Sequence, residues 1–209
     1  MYKRQGYILS ITGILTAAGL STRMGAPKAL LPWRNTTLIK HQIGCLLGGG
    51  CDHVVVVLGH ECTDISREIE RGFPVGAPIT LVCNIEYELG RATSIKEGIL
   101  SAPFYSSGFL LIAVDQPTEN HIVSRIIEEH GSVDAFITSP RYKGQGGHPV
   151  LFSSKLKPEL LNIDDDTQGL KPVFENYRSV LNRIDFDTPL VRLDLNDYET
   201  YLKNYNLFS

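Results

Sequence analysis

Apolar positions along the chain gather into short runs separated by amphipathic stretches. Ile11 to Ala17 is apolar apart from Thr12, Gly13 and Thr16, Val54 to Leu58 is a run of valines closed by a leucine, and Phe109 to Val114 is a further apolar run before Asp115. Such runs, without polar alternation, mark strands covered on both faces. Ile79 to Cys83 and Ala135 to Ser139 read as two more strands. Helical spacing occupies the intervals: Thr37 to Leu47, stopped by Gly48, Gly49 and Gly50, then Thr63 to Arg71, Ala92 to Leu100 and Glu119 to His130. This alternation predicts an α/β fold, a single domain over residues 1–209 built on a mostly parallel, doubly wound, Rossmann-like sheet. Past Pro140 the rhythm weakens. Gly144, Gly146 and Gly147 predict a flexible loop, His148 to Ser153 a further strand, and the stretches around Gly169 to Asn176 and Tyr198 to Tyr205 helices.

Sheets of this kind bind ligands at the carboxyl ends of their strands, near a reversal of strand order. That rule singles out the loop after Ala17 and the loop at Asp115. Composition narrows the partners. A net charge of −3 argues against a basic face for nucleic acid. The apolar runs are far shorter than the roughly 20 residues that span a bilayer, so no membrane partner is expected. The opening Met-Tyr-Lys-Arg-Gln-Gly lacks the apolar core of a signal peptide, which makes the cytoplasm the expected location. Cys45, Cys51, Cys62 and Cys83 form neither a C-x-x-C pair nor a zinc-finger spacing, and four reduced thiols are the expectation.

Immediately after the first strand the chain reads Ala17-Ala18-Gly19-Leu20-Ser21-Thr22-Arg23-Met24-Gly25-Ala26-Pro27-Lys28. Small residues let backbone approach a ligand closely, and successive N–H groups in such a turn make an anion cradle. Arg23 and Lys28 can add charge-assisted contacts to a polyphosphate. The spacing is neither that of a Walker A loop nor that of the dinucleotide fingerprint. A glycine-rich turn that binds nothing would share these local features. Asp115 stands at the tip of a buried strand and is followed by Gln116 and Pro117. A carboxylate mounted there suits Mg²⁺, which takes one or two carboxylates together with substrate phosphates; an ordinary turn aspartate is the alternative.

The pattern A-A-G-x-S-x-R-M-G-x-x-K-x-L-L-P, unbroken from Ala17 to Pro32, resembles the signature of the molybdenum-cofactor-type (MobA-like) nucleotidyltransferases, a branch of the sugar-nucleotide-transferase superfamily. The resemblance implies the nucleotide-diphospho-sugar transferase type of fold. It also implies that Ala17, Ala18, Gly19, Ser21, Arg23, Gly25 and Lys28 bind the nucleotide, with the two alanines against the base. Asp115-Gln116-Pro117 resembles the family's metal-binding D-x-P element. The block from Asn84 through Tyr87 to Lys96 resembles another family segment, by which Gly90, Thr93 and Ser94 border the base and ribose; as helix caps they would need no ligand. Ser94 near a helix start could also meet an anion. Gly144 to Leu151 resembles the family's G-x-x-G-H-P element, which places His148 on the acceptor side, although a lone histidine is often a bystander. Leu193 to Tyr198 resembles a closing element but departs from it, with Asp197-Tyr198 where Thr-Pro is usual. Asp194 is thus a candidate for a metal or phosphate contact, or for a capping role. Asp164-Asp165-Asp166 partly resembles a family turn and equally suits a solvated loop.

The implied reaction transfers a nucleoside monophosphate to a terminal phosphate and releases pyrophosphate, with Mg²⁺ on Asp115 and with Lys28 and Arg23 on the leaving group. Thr16-Ala17-Ala18-Gly19, Pro27 before Lys28, and Asp-Gln-Pro all resemble the cytidylyl branch more than the guanylyl one. CTP and a molybdopterin-type acceptor are therefore the first expectation, with a molybdenum hydroxylase as a downstream partner. The alternatives are a sugar- or alditol-phosphate acceptor, and a non-catalytic accessory protein for hydroxylase maturation.

Overall fold

The computed structural model describes residues 9–21 and 24–208. The chain runs β1 (Ile11–Ala17), β2 (Pro32–Trp33), β3 (Thr36–Thr37), α1 (Leu38–Gly48), β4 (His53–Leu58), α2 (Cys62–Gly72), β5 (Ile79–Cys83), α3 (Arg91–Leu100) and β6 (Gly108–Ala113). It continues with α4 (Asn120–Val133), β7 (Ile137–Tyr142), β8 (Gln145–Gly146), β9 (Val150–Ser153), α5 (Lys157–Leu161), α6 (Lys171–Asn176), β10 (Asn182–Asp185) and α7 (Tyr198–Phe208).

One sheet carries the order β10-β7-β9-β6-β1-β4-β5, with β8 on β7; β2 and β3 form a separate small hairpin. The pairs β5–β4, β4–β1, β1–β6 and β7–β10 are parallel. Antiparallel β9 is inserted between β6 and β7, so the sheet is mixed but mostly parallel. From β1 the chain steps outward to β4 and β5, then returns to place β6 on the other flank of β1. The reversal point therefore lies between the carboxyl ends of β1 and β6, where ligands of such sheets bind.

Both faces of the central strands are covered. Val54 and Val56 enter one core with Leu15, Ile43 and Ile126, while Val55 and Val57 enter the other with Ile14, Ile99 and Phe152. A strand that fills two cores has no position left for polar residues, which is why β4 reads as unbroken valine. Each such side chain contributes about 1.5–3 kcal/mol by leaving water. On the first face, Trp33 is fully buried and rests against His41, Tyr201 and Tyr205. The Tyr201 hydroxyl donates to the Pro32 carbonyl at 2.7 Å, so α7 braces the segment that follows Lys28.

The structure corrects several expectations. The glycine-rich stretch after Pro140 is an ordered hairpin: Tyr142 pairs with Gln145, and Lys143 and Gly144 both take positive φ at its tip. Of the stretch from His148 to Ser153, Val150–Ser153 is strand, and His148 stays outside it because its amide donates to the Val191 carbonyl at 2.7 Å. The expectation of four reduced thiols also fails. Cys62 and Cys83 form a disulfide, with Cα atoms 6.1 Å apart, whereas Cys45 and Cys51 are free and buried. The parallel register sets Cys83 beside Leu58, and α2 begins four residues after Leu58, so two cysteines distant in sequence become neighbours. Among the described residues no helix is long and apolar enough to cross a membrane.

Candidate active site

A cavity of about 570 Å³ opens at the reversal point. That volume suits a small-molecule ligand, for which clefts of roughly 300–1,000 Å³ are usual. Its walls bring together segments far apart in sequence. Ala17, Ala18, Gly19, Ser21 and Lys28 come from the loop after β1, and Asp115 from the end of β6. Gly90, Arg91 and Ser94 come from the start of α3, and Asp194 and Asn196 from the tail before α7. The glycine turn and Asp115 therefore face one space.

The charged end is built around Lys28. Its ammonium donates to Asp115 Oδ2 at 2.7 Å, and both side chains are largely shielded, at 13% and 23% exposure. The Lys28 amide donates to Ser21 Oγ at 3.1 Å, so Ser21, held at φ +50°, fixes where the lysine leaves the turn. Asp194 is clamped from behind. Gln116 accepts from the Ala113 amide at 3.1 Å through Oε1 and donates to Asp194 Oδ1 at 2.9 Å through Nε2. The tail is stitched on by the Leu195 amide, which donates to the Asp115 carbonyl at 2.8 Å. Among the described residues no group of three or more His, Cys, Asp or Glu side chains could hold a metal ion by itself. A cation here would take oxygens from Asp115 and Asp194 and complete its shell from substrate and water, which is the habit of Mg²⁺.

The opposite end is apolar and aromatic. His60, Ile65 and Tyr87 line it, and the two rings lie 6.4 Å apart. Gly59 makes their approach possible, since a Cβ there would sit 2.6 Å from the Ala18 carbonyl and 2.7 Å from Tyr87 Cγ. Tyr87 stands in the Asn84-to-Lys96 block already noted in the sequence, whereas His60 belongs to no local motif. The rule that ligands gather at strand carboxyl ends points to His60, two residues past β4.

Three predicted residues have structural duties. The Asn84 amide, 4% exposed, donates to Thr93 Oγ1 at 2.9 Å and to Ser94 Oγ at 3.1 Å, while its Oδ1 accepts from the Glu86 amide at 2.9 Å. Thr93 thus faces the 84–90 loop and not the cavity, whereas Ser94, whose Oγ accepts from Asn84, lines the cavity. The third is His148. It lies outside the cavity wall, and its Nε2–H donates to the Leu193 carbonyl at 2.9 Å. Burial lowers its pKa, opposed by the nearby Asp194 and Asp115 carboxylates, so its ring is held neutral beside the acidic end. Gly25 turns the glycine loop at φ +67° without lining the cavity. Arg23 lies outside the described residues.

Residues 13–181 match the model of the MobA-like NTP transferase domain. The chain is 31% identical to the molybdenum cofactor cytidylyltransferase of Escherichia coli K12 over 86% of its own length and 92% of that protein. It is 29% identical to the nicotine blue oxidoreductase of Paenarthrobacter nicotinovorans, over 84% and 86% of the two chains. Among solved structures, the Rv0371c protein of Mycobacterium tuberculosis H37Rv superposes with a TM-score of 0.80 at 25% identity, covering 95% of this chain and 98% of that one.

Proposed function

We propose that this chain, which belongs to the MobA-like NTP transferase family, transfers a nucleoside monophosphate, CMP from CTP first, to the terminal phosphate of a molybdopterin-type acceptor and releases pyrophosphate. The observation that carries this reading is the meeting of the glycine turn, Lys28, Asp115 and Asp194 at one end of one cavity. The choice of acceptor and nucleotide is supported by the Ala17-Ala18-Gly19 and Asp115-Gln116-Pro117 sequences and by the similarity to the cytidylyltransferase.

Phosphoryl and nucleotidyl transfer ask mainly for alignment and charge neutralisation. The small residues Ala17 to Gly19 let the turn wrap the phosphates closely. Lys28 stabilises charge on the departing pyrophosphate. A bound Mg²⁺ would supply Lewis-acid neutralisation of phosphate oxygens, held through Asp115 and Asp194. Gln116 keeps one Asp194 oxygen turned inward to the protein, which orients the carboxylate. The acceptor phosphate is already anionic and needs no strong base, and the neutral, hydrogen-bonded His148 serves as a positioning group near the acceptor.

The test is pyrophosphate release in Mg²⁺ with CTP or GTP, with and without molybdopterin. CTP- and molybdopterin-dependent release is expected. Release only with a sugar or alditol phosphate would move the chain to that class of acceptor. Tight molybdopterin binding without release from any triphosphate would overturn the enzymatic reading in favour of an accessory role in hydroxylase maturation.

A further inference from the structure

We infer that the Cys62–Cys83 disulfide is a redox-controlled crosslink of the aromatic end of the cavity: it holds His60 against Tyr87 as a preformed grip for the nucleobase, and its reduction by a dithiol loosens that grip while the phosphate end stays intact. This rests on the reading that the cavity takes a nucleoside triphosphate.

The aromatic end is assembled from two segments that separate where the sheet stops. The β4–β5 ladder closes with Leu58 beside Cys83, and the Asn84 amide donates to the Leu58 carbonyl at 2.8 Å. From there one segment runs through Gly59 and His60 into α2, which carries Ile65, and the other runs through Asn84 to Tyr87. Neither cysteine lines the cavity, but each stands close to a side chain that does. Cys62 is two residues past His60 and three before Ile65, and Cys83 is four before Tyr87. The disulfide is the one covalent cross-tie between the segments.

The two sides differ in what else holds them. Tyr87 sits in the loop that Asn84 ties to Thr93 and Ser94 on α3. The His60 side chain is 43% exposed, and its ion-pair partner, Glu61 at 3.7 Å, lies on its own segment. The His60 amide donates to the Ala18 carbonyl at 3.2 Å, which fixes its backbone against the glycine turn and not against Tyr87. Glu61, between His60 and Cys62, takes φ +56°, a left-handed conformation unfavourable for a non-glycine residue. The bond at Cys62 holds that conformation, and its loss frees the His60 segment to relax. His60 is therefore the side that moves.

The bond is within reach of a reductant, since Cys83 is exposed and Cys62 half-buried. A thiolate of a small dithiol attacks Cys83 Sγ; the bond between the two sulfurs breaks, and its electron pair leaves on Cys62 Sγ, which takes a proton. The second thiolate of the reductant attacks the mixed disulfide and expels Cys83 Sγ, which is protonated in turn. Two electrons and two protons pass to the protein, and the reductant ends as its own disulfide. The other two cysteines stay out of the exchange, because Cys45 and Cys51 are buried and burial pushes both thiols up.

The test is calorimetric titration of the oxidised and the dithiol-reduced chain with CTP and, separately, with pyrophosphate, both in Mg²⁺ and at a temperature where circular dichroism shows both forms folded. Reduction is expected to weaken CTP binding about tenfold, because the grip must then be ordered at each binding event, and to leave pyrophosphate affinity within about twofold. Reoxidation with a small disulfide restores the CTP value, and Cys62→Ser/Cys83→Ser gives the weak value in both conditions. Equal CTP affinity in the two states overturns the inference. So does a parallel loss for CTP and pyrophosphate, which a bond that only stabilises the fold would give, and so does a double variant that still responds to the dithiol. Should neither state bind CTP or GTP, the functional reading fails, and the crosslink is then judged on the His60 ring proton signals: a shift on reduction sustains it, and unchanged signals overturn it.

Discussion

Lys28 and Asp115 stand 87 residues apart in sequence and meet at 2.7 Å where the cavity is most charged. Each is the other's partner in the ligand-free chain, and each is needed by a different part of the proposed substrate. Lys28→Ala should weaken triphosphate binding roughly 10- to 150-fold, the worth of one charge-assisted hydrogen bond. It should also tighten divalent-cation binding in the absence of nucleotide, because Asp115 loses its competing ammonium. Calorimetric titration of the variant with CTP and separately with Mg²⁺ checks both directions.

Asp115→Ala should abolish turnover, by about 100-fold or more, with the fold retained. Asp115 sits at a strand tip and contributes little to either core, while its backbone carbonyl still anchors Leu195. Unchanged pyrophosphate release in Mg²⁺ would remove Asp115 from the metal assignment.

Asn84→Ala should destabilise the chain by about 1–3 kcal/mol, since it strips partners from groups at the buried joint between the 84–90 loop and α3. Because the same joint positions Tyr87, the KM for triphosphate should rise more than kcat falls. Denaturant melts and steady-state kinetics of one preparation test the two parts.

Reducing the Cys62–Cys83 disulfide should lower stability by about 3 kcal/mol, the chain-entropy value for a loop closed over a sequence separation of 21. Cys83→Ser should reproduce the loss and be insensitive to reductant. Thermal melts with and without a dithiol reductant measure it. Cys45 is no substitute partner, because burial pushes its thiol up to about 12.

Stability should climb as pH rises toward about 6.5, the ordinary histidine value, and then level off. His148 and His41 both have pKa values lowered chiefly by burial, so the unfolded chain binds protons more readily than the folded one. Their contribution is fully present above the unfolded pKa and is lost as pH falls through the folded one. His148→Asn should flatten part of this acid limb in melting temperatures taken between pH 5 and 7; a slope equal to that of the parent would rule out its share.

Elements buried on both faces were legible in the sequence, because the runs Val54–Leu58 and Phe109–Ala113 fill two cores without a polar residue, and β1 admits only small polar side chains such as Thr12, which is buried and bonded to Ser106. β10 was not legible: Asn182-Arg183-Ile184-Asp185 is an edge strand whose polar residues face water. In the site, the contiguous stretch from Ala17 to Lys28 and the strand-tip Asp115 could be read, since each announces itself locally. His60 could not, and the buried joint that Asn84 makes with Thr93 and Ser94 was not readable from its block, because these roles come from partners brought near by strand register and helix docking. The Cys62–Cys83 pairing belongs to the same class.

The bond from Tyr201 to Pro32 joins positions 169 residues apart, and nearly all of the sheet lies between them. Contacts of such long range cannot form until the intervening strands are paired. The stretch just beyond Lys28 should thus acquire its amide-exchange protection late in refolding, after the valine-rich centre is already protected. A molecule caught midway would own a finished scaffold and an unready phosphate grip.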